Sequence, residues 1–560
     1  MKRFIITVAC AVMTACAING QPDFKKAAKA IFTVKTFSAD GNMIGSANGF
    51  FTGSSGEAVS SLSLFKGAAK AVVIDAQGKE AEVECILGAD DMYDVIKFRV
   101  AAKRTTPPPV ATDSQDGDAK EGTAVWLVPY SVKKTPSCPQ AQVSKAEKFN
   151  TDYNYYTIDL EVPDNTVGCP FVNAQGEAIG LMQQPAKAHD PNSFAVSAGF
   201  AASLQMKGLS INDPTLKSIT IKKDLPDDIS QAILTLYVAA SSADSAQYTG
   251  ILEDFIRKFP DAPDGYTYRA QLNANADRFD QAAKDMEQAI KVADKKDDAH
   301  YNYARIIYQK EISKPGKAYP AWNLGKAAGE ADEAYRINPI PAYRQLKAQI
   351  QYAQKDYDGA YSTYEEIIGK GTRTAEIYYE ASRCKEALGD TTAMIALLDS
   401  AVNTFSKPYL KTAAPYIIVR AQALVAAGRY RQAVADYNDY ESLMSTTVND
   451  NFYYLRAQAE IDGHMYQQAL NDIVKAISMN PQNTLYYAEK ASLEVRVGLL
   501  DDAMASAGEC IRLDDKLSDG YLFLGLAQCL KGDKSAGLDN LKKAKELGDP
   551  QAQALIDKYR

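Results

Sequence analysis

Short apolar runs alternate with Gly, Asp and Asn through the first part of the chain, between about residues 21 and 216. Runs of this length, separated by turn-forming residues, are typical of β-strands. The strands that the pattern predicts are Ala30–Phe37, Ala71–Ile74, Val95–Val100, Ala124–Pro129 and Tyr155–Val162. We therefore expect an all-β region, and the pattern alone is compatible with a barrel or a sandwich.

From about Asp228 the pattern becomes helical, and one small residue is repeatedly followed by another twelve positions later. The pairs are Ala270 with Ala282, Ala348 with Ala360, Ala381 with Ala393, Ala421 with Ala433, Ala457 with Ala469, Ala491 with Ala503, and Gly525 with Gly537. Ala304 fills the first position of one further unit, which is lengthened around Lys314–Gly325. Successive first positions are 34, 44, 33, 40, 36, 34 and 34 residues apart. A period near 34 predicts antiparallel helix pairs that meet at these small residues.

One unit, Phe452–Pro481, resembles the consensus of the tetratricopeptide repeat (TPR) family throughout its length. The residues that fit are Ala457, Tyr466, Ala469, Ala476 and Pro481. Glycines that we expect in left-handed turns between the helices are Gly389, Gly428, Gly463 and Gly498. We count eight clear units, a degenerate one over Asp228–Pro260 and a closing helix over Asp549–Tyr559.

The TPR resemblance implies a concave groove, lined by first-helix positions three before and one after each small residue. Tyr and Gln recur there, and their phenol and amide groups suit hydrogen bonding to a peptide backbone. The alternative is that tyrosine, of which the chain has 33, packs the helices together. No unit carries the Lys/Asn pair of a carboxylate clamp. The predicted peptide-binding residues are Gln271, Tyr301, Arg305, Gln349, Tyr378, Gln422, Tyr454 and Gln458.

Three N-terminal segments resemble trypsin-like, HtrA-like serine proteases. Gly49–Ala68 is similar to the stretch around the catalytic histidine, Asp90–Val100 to the stretch around the aspartate, and Asn165–Gly180 to the nucleophile loop. The resemblance implies two six-stranded barrels, with Ser197–Leu204 as the strand that closes the second.

The catalytic residues depart from this pattern. Ser63 stands in the histidine position and Val167 in the nucleophile position, and only Asp94 is kept. Valine has no nucleophile, and serine cannot act as a base near neutral pH. Two of the three histidines fall in the repeats, and we expect His189 at the surface of a polar loop. The domain therefore resembles a pseudoprotease.

Cys169, two residues after the lost serine, is the alternative nucleophile, although no histidine lies near it in sequence. The chain has no G-x-G-x-x-G, P-loop or EF-hand motif and no Cys/His metal spacing, so we expect neither a cofactor nor a metal. The six cysteines after residue 17 form no C-x-x-C pair, and we expect no disulfide framework.

Charge and the N-terminus limit the partners and the location. A net charge of -8 with no cluster of Lys and Arg argues against nucleic acid. Lys2, Arg3 and the apolar run Phe4–Met13 predict a signal peptide, and Met13–Cys16 is similar to a lipobox, which makes Cys16 a lipidation candidate. Plain secretion is the open alternative. We expect export to the periplasm or outer-membrane envelope of a Gram-negative bacterium, with no transmembrane helix in the mature chain.

The predicted organisation is a signal peptide over 1–17, a trypsin-like pseudoprotease over 21–211, a linker over 212–227 and a TPR solenoid over 228–560. The solenoid should hold about nine helix pairs and a C-terminal capping helix. The predicted function is a non-catalytic adaptor that binds a protein or peptide in the TPR groove. The alternatives are an active peptidase with an unconventional nucleophile and an accessory lipoprotein subunit of an outer-membrane or secretion assembly.

Overall fold

The computed structural model describes residues 23–101, 108, 119–149, 152–162, 164–185, 187 and 189–560. The predicted signal peptide, 1–17, and the lipidation candidate Cys16 lie outside these residues and stay predictions. No helix of the described residues is both long enough and apolar enough to cross a bilayer. The chain forms two compact units, and the boundary between them in the sequence lies between Ala293 and Asp294.

Two closed antiparallel barrels of six strands each begin the first unit. After α1 (Lys25–Lys29), the first barrel has the strand order β1-β2-β3-β6-β5-β4. Its strands are β1 Ile31–Phe37, β2 Met43–Phe51, β3 Glu57–Ser61, β4 Lys70–Ile74, β5 Glu80–Asp90 and β6 Val95–Val100. The second barrel has the order β10-β11-β12-β9-β8-β7. Its strands are β7 Ala124–Leu127, β8 Gln140–Phe149, β9 Tyr153–Ile158, β10 Pro170–Val172, β11 Ala178–Met182 and β12 Ser193–Ser197.

The strand predicted over Ser197–Leu204 is wrong. The second barrel is closed by β12, and the chain then turns into the helix α2, Ala198–Ser203. The Ser197 hydroxyl accepts a hydrogen bond from the Phe200 amide at 3.2 Å, which is the N-cap arrangement that starts a helix. The sequence AGFAAS contains small residues that pack closely as a helix, so Ala198 and Ala201 are fully buried.

The segment predicted as a linker packs on the first barrel. It contains α3 (Pro214–Ser218), and Ile219 and Ile221 after α3 belong to the apolar core of that barrel. Backbone hydrogen bonds join Ile86 to this segment, since its amide donates to the Lys222 carbonyl at 2.8 Å. Burial of apolar side chains therefore holds this stretch against the barrel.

Nineteen helices follow among the described residues, and they pair in chain order. Four lie in the first unit: α4 Ile229–Ser242, α5 Ser245–Lys258, α6 Pro263–Asn275 and α7 Phe279–Val292. Those of the second unit are α8 Lys296–Ser313, α9 Leu324–Ile337, α10 Pro341–Ala353, α11 Tyr357–Gly369, α12 Ala375–Ala387, α13 Thr391–Asn403, α14 Ala414–Ala426, α15 Tyr430–Met444, α16 Asp450–Asp462, α17 Tyr466–Met479, α18 Thr484–Arg496, α19 Leu500–Leu513, α20 Ser518–Lys531, α21 Lys534–Glu546 and α22 Ala552–Tyr559. The predicted fold class, a double barrel followed by an α-helical repeat array, is confirmed.

Small residues lie where the two helices of a pair come closest. The alanines at the first position of the seven alanine-anchored units are 0% exposed. In α20 and α21, a Cβ added to Gly525 would lie 2.7 Å from the Gly537 carbonyl oxygen, and one added to Gly537 would lie 2.8 Å from that of Gly525. Even an alanine would therefore push these two helices apart.

Two details of the predicted repeat are wrong. Ala393 is only half-buried, because α13 begins at Thr391 and its helical phase places Met394 and Ile395 in the core instead. Gly463 has a φ of -80°, and the left-handed residue of that turn is His464 at +61°. Gly463 is small for a different reason, since an added Cβ would lie 2.7 Å from Met465 Cε and 3.2 Å from Tyr430 Cβ.

An ion pair joins the two helices in three of the pairs, and its aspartate is buried in each. An arginine one residue before the small residue of the first helix binds an aspartate of the second helix, over 16 positions of sequence. The pairs are Arg269–Asp285 in the first unit, and Arg420–Asp436 and Arg456–Asp472 in the second. Arg456 also binds Glu441 of the preceding helix α15 at 2.7 Å. Arg420 likewise binds Asp399 of the preceding helix α13, at 3.0 Å. These arginines therefore hold each helix pair together, and Arg420 and Arg456 also hold it to its neighbour.

Two aspartate clasps tie successive pairs of the second unit. In the first, Asp297 of α8 accepts hydrogen bonds from Asn338 and Tyr343 at 2.8 and 3.1 Å. In the second, Asp450 of α16 accepts from Asn480 and Tyr486, both at 2.9 Å. The hydrogen bond from Asn480 makes the largest contribution to the lowering of the pKa of Asp450 below its ordinary value.

Glu460 of α16 is a buried carboxyl without a full set of partners. It is 4% exposed, and its Oε2 has no hydrogen-bond partner among the described residues. The charged groups around it are Glu441 of α15, Arg456 of α16, and Asp472 and Lys475 of α17. Burial and, next, the charge of Asp472 raise the pKa of Glu460 to about 8.

We expect Glu460→Gln to be more stable than the wild type at pH 8. Between about pH 4.5 and 8 the unfolded chain ionises this carboxyl while the folded chain keeps its proton, so wild-type stability falls as the pH rises, by at most about 1.4 kcal/mol per pH unit. Melting temperatures of the two proteins at pH 5 to 8 should therefore diverge in favour of the variant.

Glu386→Gln, at an exposed position of α12, is the matched control and should show no such divergence. A constant difference between Glu460→Gln and the wild type across this pH range would contradict the assignment.

Candidate functional site

A cleft of about 1000 Å³ opens between segments of both barrels. Its lining includes Ser63, Val167 and the loop residues Asn165 and Thr166, so the structure brings the predicted histidine and nucleophile positions to one site. Apolar residues from the second barrel complete the lining: Leu127, Pro129, Pro139, Leu160 and Val162. A cleft of this size and character suits an extended chain with apolar side chains.

Asp94 is held by hydroxyl and amide groups at the edge of this cleft. Its carboxylate accepts hydrogen bonds from the Ser63 amide at 2.6 Å, from the Ser63 hydroxyl at 3.1 Å and from the Ser61 hydroxyl. The two serine hydroxyls are 2.8 Å apart. Asp94 itself has a φ of +49°, in the left-handed region, which these contacts offset. The aspartate therefore has the local partners of a structural carboxylate, with serine where an imidazole would be needed for base catalysis.

Val167 is 7% exposed and offers no reactive group to the cleft. Asn48 fixes the loop around it, because the Asn48 side-chain amide donates to the carbonyls of Asn165 and Val167 at 2.7 and 3.1 Å. Gly168, with a φ of +84°, packs directly on Asn48, and a Cβ there would overlap the Asn48 carbonyl oxygen. Asn48 and Gly168 thus fix the conformation of the loop that contains Val167.

Cys169 is fully buried, at 0% exposure, below this loop. Burial raises the pKa of the Cys169 thiol to about 12. A reactive cysteine needs an accessible thiolate, and Cys169 has neither the access nor the ionisation. All six cysteines of the described residues are buried and free.

Each of the three histidines has a polar neighbour of its own. His189 is 90% exposed, with its Nδ1 at 3.1 Å from Oε1 of Glu161, and Glu161 lines the cleft. His300 lies 2.6 Å from Glu330, and His464 lies 2.9 Å from the Tyr466 hydroxyl. His189 therefore lies at the protein surface, as the sequence predicts. No cluster of three or more His, Cys, Asp or Glu side chains that could hold a metal occurs in the described part of the chain.

The predicted groove residues all lie on first helices of their pairs. Gln271 is on α6 of the first unit, where its amide donates to Asn275 at 3.0 Å. The other seven, on α8, α10, α12, α14 and α16 of the second unit, are exposed or half-buried. Arg305 and Gln422 are the exposed ones.

Two of the three tyrosines of this set also contact tyrosines of the next first helix. Tyr301 packs against Tyr343 with ring centroids 5.0 Å apart, and Tyr454 against Tyr486 at 5.4 Å. The Nε2 atom of Gln458 is buried, and its side chain lies beside Glu489 of α18. Tyr454 and Gln458, both half-buried, thus take part in packing between α16 and α18.

Sequence reasoning missed three residues that shape the cleft: Ser61, Asn48 and Glu161. Ser61 and Ser63 lie two positions apart around the end of β3, so their contact with Asp94 follows from strand geometry once the barrel is known. Asn48 is 117 residues from Asn165, and no local pattern signals that contact.

Comparison with known proteins separates the two parts of the chain. Residues 47–181 match the family model described as trypsin-like peptidase domain. DnaJ homolog subfamily C member 7 of Homo sapiens is 34% identical over 89 residues, which are 16% of this chain and 18% of that protein. Small glutamine-rich tetratricopeptide repeat-containing protein 2 of Saccharomyces cerevisiae is 30% identical over 95 residues, 17% of this chain and 28% of that protein.

Stress-induced-phosphoprotein 1 of Caenorhabditis elegans is 21% identical over 207 residues, 37% of this chain and 62% of that protein. The chain thus spans less than two thirds of the length of each of these three relatives. Among solved structures, YrrB, described as a TPR protein with an unusual peptide-binding site, has a TM-score of 0.30 at 17% identity and covers 35% of this chain and 98% of its own. The chain therefore combines an N-terminal trypsin-like peptidase domain with TPR-type helical repeats downstream.

Proposed function

We propose that this protein is a non-catalytic protein- or peptide-binding adaptor of the bacterial envelope. The observation that carries the proposal is the cleft of about 1000 Å³, in which buried Val167 takes the nucleophile position and Ser63 the histidine position. Such a site keeps the shape that holds a chain and lacks the groups that cleave one.

In this proposal, the cleft binds an extended peptide through main-chain hydrogen bonds and apolar contacts. Strand addition of this kind uses backbone groups and pockets for alternate side chains, and neither needs a triad. Leu127, Leu160 and Val162 supply an apolar wall for such side chains.

The helical repeats supply the second binding surface. Tyr454 and Gln458 lie one helical turn apart on α16, and both side chains are half-buried. Their phenol and amide groups suit hydrogen bonding to a peptide backbone.

The location and the mode of attachment are part of the proposal. Export rests on the N-terminal sequence, and membrane attachment rests on Cys16, outside the described residues. Mass analysis of the mature N-terminus separates a secreted adaptor from an accessory lipoprotein, because only the latter begins with a diacylated Cys16.

Changing Tyr454 and Gln458 together to alanine should weaken partner capture at least about fivefold, since the change removes a large aromatic contact and a hydrogen-bond donor from one surface. Cross-linking in the native envelope, followed by quantification of co-purified proteins, measures the effect. Gln467→Ala with Gln468→Ala, at two exposed positions of α17, is the matched control.

Circular dichroism should show a folded array in both double variants, with a somewhat lower melting temperature where the Tyr454–Tyr486 contact is lost. Unchanged partner capture by the Tyr454/Gln458 double variant would show that these two residues do not contribute to the binding surface.

The folded protein should resist both serine-directed and cysteine-directed active-site probes at pH 7 and should leave unfolded substrates intact. Cys169 should react with a thiol reagent only after denaturation, because burial and a pKa of about 12 keep it protonated. Peptide mapping of labelled cysteines before and after denaturation measures this.

Labelling of the folded protein that disappears in Cys169→Ser or Ser63→Ala would instead establish an unconventional peptidase. Hydrolysis that survives both substitutions would exclude these two residues and still contradict the adaptor proposal.

A further inference from the structure

A second cavity, of about 570 Å³, lies within the first unit between the segment after the barrels and the first helix pair. This volume is within the range of roughly 300 to 1,000 Å³ for small-molecule sites. Aliphatic side chains form much of its lining: Met206, Ile211, Leu216, Ile219, Ile221, Leu225 and Ile251. None of the residues discussed for the cleft or the groove belongs to this lining.

The charges around this cavity are unequal. Its described lining has five cationic and three acidic residues. Asp254 binds both Lys222 and Arg257, at 2.6 and 2.8 Å, and Asp224 contacts Lys258 outside the cavity. The acidic groups are thus largely occupied, and positive charge is left over.

Lys223 is the half-buried one among the cationic side chains of the cavity that have no acidic partner in the described part of the chain. Its ammonium donates to the Ile219 carbonyl, and no carboxylate of the described residues lies within 4.0 Å of it. Burial lowers the pKa of Lys223. Lys207 and Lys217, both exposed, lie at the same cavity without an ion pair among the described residues. A half-buried ammonium beside an apolar wall favours an anion as its partner.

Gly250 of α5 keeps one side of the cavity open. A Cβ added there would meet no atom within 4 Å, so the missing side chain is not required by packing. Glycine also costs about 1 kcal/mol relative to alanine inside a helix. Its presence leaves free space beside the apolar wall, which a larger side chain would occupy.

We propose that this cavity binds a single-chain amphiphile, with its hydrocarbon chain against the aliphatic wall and its anionic head paired with Lys223. The ligand touches both the segment that packs on the first barrel and the helices α4 and α5. Its binding therefore stabilises the first unit against unfolding. The proposal is independent of what the cleft or the repeats bind.

Isothermal titration calorimetry of the purified mature protein with monomeric dodecanoate should give saturable binding at one site. Lys223→Gln should weaken the affinity about tenfold or more, because it removes a charge-assisted hydrogen bond. Gly250→Phe should abolish binding by filling the cavity, and Gly250→Ala should retain it. Dodecyltrimethylammonium, which has the same chain and the opposite charge, should bind at least about tenfold more weakly.

Matched controls are Lys284→Gln, at an exposed position of α7, and Gly329→Phe, at an equally open glycine of α9. Both should bind dodecanoate like the wild type, and circular dichroism should show all variants folded. The proposal fails if the wild type does not bind dodecanoate, if the cationic amphiphile binds equally well, or if Gly250→Phe binds unchanged. Binding to phosphatidylglycerol vesicles without binding to free dodecanoate would also overturn it, in favour of a membrane surface.

Discussion

The repeats depend on how closely two helices can approach each other. Fully buried alanines and, at Gly525 and Gly537, glycines set that distance, because any larger side chain would meet the backbone of the partner helix. Close backbones in turn bring long side chains within reach of the opposite helix. Arg456 therefore binds Asp472 on its partner and Glu441 on the preceding helix at once. An unpaired charge in the same place would cost several kcal/mol, so a buried arginine at this position requires its acidic partners.

The trypsin-like domain shows the same dependence on a close backbone contact. Gly168 allows the loop after Val167 to lie on Asn48, whose side chain then holds the loop carbonyls. Asp94 receives hydroxyl and amide donors from Ser61 and Ser63. These polar contacts hold Asp94 and the loop around Val167 in place.

Strand and repeat patterns predicted most of the fold, because alternation and a 34-residue period report directly on burial. Positions that depend on helical phase were less predictable. Because α13 begins at Thr391, the buried position that was predicted for Ala393 is occupied by Met394. Likewise, the N-cap at Ser197 starts a helix in an apolar stretch that was predicted as a strand. Buried charges such as Arg456 and Glu460 could not be foreseen, since sequence patterns place charge at the surface unless a distant partner is known. The contact between Asn48 and Asn165 and the cavity beside Lys223 arise from segments far apart in sequence, and for that reason neither was expected.

The aspartate clasps make resistance to local unfolding differ along the second unit. Each one joins three successive helices through a single carboxylate, so the repeats on either side of Asp297 and of Asp450 resist local opening as small blocks. Between these blocks the connection from α13 to α14 runs through residues 404–413, with one short 3₁₀ turn, Lys411–Ala413. It is the longest connection between the two blocks, so a protease that samples open states would cut there in preference to the shorter turns between them, and the fragments it released would each retain one clasped set of helices.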